Sequence, residues 1–310
     1  MKLVTKEAEA VTPAVEGAPS RSLNPGVDRY TVGSRPAGRF TALIFADAGI
    51  GKTHLISTTP VDTLVVSCDL SGAETLEKTA LVAAVRERGV RLDVQEAFMD
   101  KDAFKILNQT KLEVEMAIRK GQPLPYRMIV LDGLCALEDS ITQDLVAQGG
   151  PYVQPSRPEM LSQGGWGCLG ARHLRVRRAA LSIPRVHVIF TALERTRGDE
   201  DTKVNVVDAA LSGQQGRRYK ADVSYVLHLE SRIMASGQEN YLVFDRAVGL
   251  AVKARRGDLL GHGSVPADLS LVMSRLGYLG ESTQGDAGTG PTTQYGPGEA
   301  PEKETFTPGQ

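Results

Sequence analysis

Four strand-like, largely apolar runs punctuate the chain, at 41–46, 63–68, 127–132 and 186–191. Helix-compatible stretches at 52–58, 73–88, 101–120, 134–147 and 167–181 fill the intervals. A strand that is apolar at every position, rather than at every second one, is covered on both faces. Such strands alternating with helices predict an α/β fold: a mainly parallel twisted sheet with helices on both sides. Three further candidates, 223–229, 241–245 and 249–253, lie too close together for helical crossovers and are expected as antiparallel additions at one edge. Residues 1–27 and 281–310 show no periodicity. The first segment is rich in Ala, Glu, Pro, Ser and Thr. The second is rich in Gly, Pro and Thr, with five acidic residues against one Lys. Both are expected to be disordered, leaving a core at 28–280.

Composition adds little to this picture but narrows the setting. The 310 residues are 41% hydrophobic, an ordinary soluble composition, and no apolar run approaches the ~20 residues of a membrane span. Cys68, Cys135 and Cys168 are far apart and odd in number, which fits reduced thiols in a cytoplasm better than disulfides or a zinc site. With a formal net charge of −1, any contact with nucleic acid has to come from a local basic patch.

The first apolar run leads into Ala46, Asp47, Ala48, Gly49, Ile50, Gly51, Lys52, Thr53 and His54. A strand, a turn of small residues, then Lys-Thr opening a helix is the context of a phosphate-binding loop. Gly49 and Gly51 allow successive N–H groups to converge on phosphate oxygens, Lys52 brings a mobile charge for the β- and γ-phosphates, and Thr53 offers a hydroxyl to Mg²⁺. Ala46 stands where the pattern G-x-x-x-x-G-K-[ST] has glycine. The third run ends in Asp132, a carboxylate able to hold Mg²⁺ from a parallel strand's carboxyl end. The second ends in Asp69, with Glu74 five residues on. Either could orient or deprotonate an attacking water, and either could simply cap a helix. From Met160 through Leu193 there is no acid, while Arg172, Arg175 and Arg178 recur at helical spacing. A long Gly/Pro-rich loop with Tyr152 and Trp166 precedes them, and Gly213 to Lys220 reads as a second acid-free basic loop with Arg217 and Arg218. Arg172, Arg175, Arg217, Arg218 and Lys220 are candidate phosphate contacts on single-stranded DNA, with the aromatics available for stacking. A solvated arginine face with Trp166 in the core is the competing reading. Late in the chain, Lys253 and Arg255 follow a strand and could reach a neighbouring subunit's nucleotide, or form an exposed basic turn.

Together these residues resemble the RecA-like P-loop ATPases, and within them the compact phage-encoded group that is little more than a RecA core, linked to single-strand annealing and recombination. The resemblance spans about 38–278. It rests on Ala46 to Thr53, on Asp69, and on Ile129-Val-Leu-Asp-Gly-Leu-Cys-Ala-Leu137. It continues through Trp166-Gly167, Val188 to Glu194, Leu211-Ser-Gly213 and Val252-Lys-Ala-Arg255. It implies ATP and Mg²⁺ as cofactors, hydrolysis at a subunit interface, and a ring or filament of identical subunits. It also implies single-stranded DNA held by loops after the third and fourth core strands, and a single-strand-binding or other replication or recombination protein as partner. Lys52, Asp69, Asp132, Lys253 and Arg255 are the catalytic set so implied. The chain departs from the pattern at Ala46, at Asp69 (shorter than the usual Glu) and at Leu193, where a polar residue would sense the γ-phosphate; slow, DNA-stimulated turnover is the expectation. The alternatives are a non-hydrolysing module whose assembly ATP switches, and a small-molecule kinase.

Overall fold

The computed structural model describes residues 38–77, 79–198, 205–235, 237–245, 250–255, 260 and 263–279. The expected N-terminal arm and C-terminal tail lie outside the described residues. The elements run in the order β1 (Thr41–Ala46), α1 (Lys52–Ile56), β2 (Thr63–Ser67), α2 (Leu70–Leu76), α3 (Thr79–Glu87), β3 (Leu92–Glu96), α4 (Asp100–Lys120), β4 (Met128–Asp132) and α5 (Leu134–Gln148). Then come β5 (Val153–Gln154), β6 (Arg157–Leu161), α6 (Gln163–Leu181), β7 (His187–Gly198), β8 (Asn205–Ala209), α7 (Gln215–Asp222), β9 (Tyr225–Met234), β10 (Gly237–Val243), β11 (Lys253–Ala254), β12 (Ser264–Pro266) and α8 (Leu269–Arg275).

The sheet has the order β12-β10-β9-β1-β7-β4-β2-β3. The strands β9, β1, β7, β4, β2 and β3 are mutually parallel, while β10, β11 and β12 add antiparallel pairings at the β9 side. This is the expected mainly parallel α/β sheet with an antiparallel extension at one edge, except that β9, from the stretch 223–229 expected to be antiparallel, runs parallel to β1 because it continues the sheet directly beside it. The apolar runs have a direct structural cause. Leu43 and Phe45 point into one core, with α4, α5 and α6 above it; Ala42, Ile44 and Ala46 point into a second, against α1 and α8. Burying a side chain of the size of Leu or Phe contributes about 1.5–3 kcal/mol, so strands paired on both faces hold the sheet from both sides.

β7 lies between β1 and β4, so the register brings four strand ends level. Ala46 is opposite Leu193, Leu131 opposite Phe190, and Ser67 opposite Asp132. The functional candidates gather along that line.

Three segments fold differently from the sequence reading. The stretch 73–88 is not one helix: α2 ends at Leu76 and α3 begins at Thr79. The Gly/Pro-rich stretch before α6 contains a two-stranded hairpin, β5–β6. The basic segment 213–220 is largely helical, because Tyr219 anchors α7 in the core with no exposure at all.

Candidate nucleotide site

The loop between β1 and α1 carries its two turns on glycine. Gly49 has φ 79° and Gly51 φ 102°, both in the left-handed region that disfavours a Cβ. Ala46 does not share that requirement. It is the last residue of β1, wholly buried in the second core, in register with Leu193. A methyl group there fills core space rather than straining the loop, which accounts for the missing glycine. Within the loop, the Ala48 N–H donates to Asp47 Oδ1 at 2.7 Å. Lys52 Nζ donates to the carbonyls of Ala46 at 3.1 Å and Asp47 at 2.8 Å, folding its ammonium back over the loop. Burial lowers its pKa, with Asp132 acting in the opposite sense.

Lys52, Thr53, Asp69, Asp132, Cys135 and Leu193 line one cavity of about 190 Å³ at the carboxyl ends of the strands. Asp132 is 4% exposed. Burial pushes its carboxyl up, while the Thr191 hydroxyl, which donates to Oδ1, and the Thr53 hydroxyl favour the charged form. Gly133, at φ 91°, turns the chain away from β4 and donates its N–H to Thr191 Oγ1 at 2.9 Å. α2 covers the far side of the carboxylate: a Cβ on Gly72 would stand 2.9 Å from Asp132 Oδ2, so glycine is what lets the helix close there. Asp69 approaches from β2 and packs against Gly133. Glu74 stands exposed on α2 and is not among the cavity's lining residues. Hard oxygen donors around one buried carboxylate suit Mg²⁺, which takes few protein ligands and most of the rest from phosphate and water.

Thr191, Gly72 and Cys135 belong to this site and were not singled out from the sequence. Thr191 carried a faint signal, a hydroxyl ending an apolar strand. Cys135 carried none. Its Sγ accepts from the Leu193 N–H at 3.3 Å and donates to the Ala210 carbonyl at 3.3 Å. One turn further along α5, Glu138 accepts the Ser212 N–H at 2.9 Å. Burial opposes its ionisation, but His173 and Ser212 outweigh this and hold its carboxyl below the ordinary range. α5 therefore joins the buried Asp132, the end of β7 and the segment leading into α7.

The basic candidates separate into two groups. Arg172 bonds Asp100 and Asp144, and is 18% exposed. Lys220 bonds both oxygens of Asp208, at 2.9 and 2.7 Å. Both cations are already matched by carboxylates inside the chain. Arg175 is exposed but lies over the Phe104 ring, 3.8 Å from its centroid. Arg217 and Arg218 are exposed on α7, where Arg218 reaches Gln214. Trp166 is 47% exposed at the start of α6, not in the core. Lys253 Nζ donates to the carbonyls of Lys220 at 2.9 Å and Val223 at 2.7 Å, closing the end of α7. Arg255 is exposed. It follows Ala254, which pairs with Tyr225 near the start of β9, at the end of the sheet away from the phosphate loop.

The sequence profile of the AAA domain matches residues 39–256. The chain belongs to the AAA domain family. This AAA domain is a P-loop ATPase domain, and the match covers the phosphate loop, Asp132 and the sheet that aligns them. Among solved structures it is similar to the KaiC-like protein PH0186 from Pyrococcus horikoshii OT3, with 10% identity and a TM-score of 0.36 over 70% of this chain and 80% of that one. A likeness that loose carries no argument about this domain. No curated protein matches the sequence. Among the described residues, no helix is long and apolar enough to cross a membrane.

Proposed function

We propose that this AAA domain binds Mg·ATP at the phosphate loop and hydrolyses it while engaged with single-stranded DNA, in recombination or strand annealing. The observation that supports this most is the single cavity shared by Lys52, Thr53, Asp69 and Asp132. Lys52 leaves the loop carbonyls to meet the β- and γ-phosphates. Thr53 and Asp132 would hold Mg²⁺, which when bound would neutralise developing phosphate charge. Asp69, beside Gly133, orients the attacking water. Thr191 fixes the rotamer of Asp132 through its hydroxyl.

Support for DNA comes from the same end of the molecule. Trp166 presents a half-exposed indole, a platform on which a base can stack. Arg217 and Arg218 are exposed on α7, and Arg195 stands exposed on the β7–β8 hairpin just beyond Leu193. A switch role without turnover is the second reading, favoured by Leu193, which places an apolar side chain, 41% exposed, in the cavity wall. Phosphate release from Mg·ATP, titrated with single-stranded DNA, separates the two. Turnover that rises with DNA supports the enzyme. ATP-dependent DNA binding with no phosphate release supports the switch, and a response to nucleosides but not to DNA sinks both.

A further inference from the structure

Where α4 and α6 pack side by side, a groove of about 470 Å³ opens between them, lined by Phe104, Asn108, Leu174, Arg175, Arg178 and Ser182 among others. No carboxylate is among its lining residues. We propose that this groove docks an acidic segment of the same chain, Glu299 to Phe306, independently of the nucleotide and DNA readings above.

The groove carries unmatched positive charge. On the same helix Arg172 is held by Asp100 and Asp144. Arg175 and Arg178 are both exposed, and among the described residues neither has a carboxylate partner. Arg175 lies over the Phe104 ring, 3.8 Å from its centroid, which fixes the guanidinium at the groove wall. Arg178 follows at i+3, on the same side of the helix. Lys105, exposed on α4 beside Phe104, adds a third cation. Beneath these charges Phe104, Leu174 and Ala179 supply an apolar floor. Guanidinium forks above an apolar floor suit a peptide that brings carboxylates and one large apolar side chain. Nucleic acid is the poorer match. The ring inside the groove is covered by Arg175, and the half-exposed indole of Trp166 lies nine residues back along α6, about 14 Å away.

The occupant follows from where the described chain ends. Tyr278 packs on Phe40 and His187, with ring centroids 5.5 and 5.9 Å away. Next to Phe40, Arg39 donates to the carbonyls of Leu181 and Ile183, at the end of α6. Leu279 therefore leaves the body of the protein close to Ser182, at one mouth of the groove. From Ser182 the groove runs back to Ala171, about 16 Å along the helix. The nineteen residues 280–298 are rich in Gly, Pro and Thr, and a coil of that length spans about 25 Å. Next come Glu299, Glu302 and Glu304, with Lys303 among them, and then Phe306. The carboxylates match Arg175, Arg178 and Lys105, and the phenyl ring matches the floor. Tethered over such a short distance, the segment meets the groove at an effective concentration in the millimolar range, so a weak contact is enough to keep it docked.

Photocrosslinking of the full chain tests this. Phe306→p-benzoylphenylalanine is irradiated, and the linked peptides are mapped by mass spectrometry. Links are expected to α4 around Phe104 and to α6 between Ala171 and Ser182. They should form within one chain, so an equal mixture with isotope-labelled copies should yield few links between heavy and light peptides. The yield should fall about tenfold in roughly 0.5 M salt, and equally when Glu299→Gln, Glu302→Gln and Glu304→Gln are combined. Arg175→Glu with Arg178→Glu should do the same. If that pair of changes unfolds the protein, the three glutamine substitutions decide, since they alter neither α4 nor α6. Links concentrated elsewhere, a yield indifferent to the three glutamines, or links mainly between copies would overturn the proposal. It would also fall if the arginine substitutions abolished single-stranded DNA binding and left the cross-links in place, because the groove would then be a nucleic-acid surface.

Discussion

Arg172 illustrates how far a basic residue's role depends on its surroundings. The side chain is 18% exposed and joins Asp100, 4% exposed at the start of α4, to Asp144 on α5. The two carboxylates raise its pKa, hydrogen bonding to Asp100 first. Arg172→Met keeps the length of the stem and removes the charge. The bond to the partly exposed Asp144 is worth little, about 0.5 kcal/mol. Asp100 is different, because it would be left buried without its cation, and removing one partner of a buried pair costs about 3–5 kcal/mol. Allowing for the packing kept by methionine, a loss of about 3 kcal/mol is expected. That corresponds to a fall of about 6–12 °C in melting temperature for a domain of this size. Urea denaturation measures it, with Asp100→Asn and the double variant closing a cycle. The double variant should recover much of the loss, since no unpaired charge remains. The affinity for single-stranded DNA at permissive temperature should keep its salt slope. A destabilisation below about 1 kcal/mol together with a flattened salt slope would refute the reasoning and return Arg172 to the DNA surface.

Other expectations follow from single contacts. His187 is buried and accepts the Phe40 N–H at 3.0 Å; burial, then Arg127 and Arg39, depress its pKa to about 4. The unfolded chain takes up that proton first as pH falls below about 6.5. Stability should therefore drop between pH 6.5 and 4, by up to about 3 kcal/mol, and His187→Asn should flatten that part of the pH profile in chemical denaturation. Trp166→Ala should weaken single-stranded DNA binding by about 1–3 kcal/mol in fluorescence titrations while leaving the melting temperature unchanged; a melting shift with unaltered affinity would make the indole a packing residue. Arg255→Ala and Lys52→Ala subunits, each inactive alone, should regain partial phosphate release when mixed, and lose it on dilution. Full activity in Arg255→Ala alone would make that basic turn a local surface feature.

The fold was legible where burial is two-sided. β1, β2, β4 and β7 run apolar because each has a core on both faces, so their sequence alone marks them as strands. β3 escaped notice as Leu-Asp-Val-Gln-Glu, because an edge strand with partly exposed side chains need not be continuously apolar. α7 escaped for a related reason. Its eight residues are mostly polar, and one buried tyrosine holds it down. The phosphate loop was readable because Gly49, Gly51, Lys52 and Thr53 act through local backbone geometry. Thr191 was not, because it reaches Asp132 from a neighbouring strand, and Cys135 and Gly72 were not, because a thiol and a glycine on the helices after β4 and β2 acquire their roles only once those helices pack at the strand ends. The ion pairs of Arg172 and Lys220 were equally invisible in the sequence, because their partners, Asp100, Asp144 and Asp208, lie on other elements.

The central claim is that Lys52 is a phosphate ligand in a Mg·ATP site. Calorimetric titration of Mg·ATP into the wild type and Lys52→Ala, with both melting temperatures recorded, tests it most directly. The account predicts saturable binding to the wild type and at least tenfold weaker binding to the variant. The melting temperatures without nucleotide should agree, since Lys52 bonds only loop carbonyls. Undiminished ATP affinity in a folded Lys52→Ala protein would contradict it.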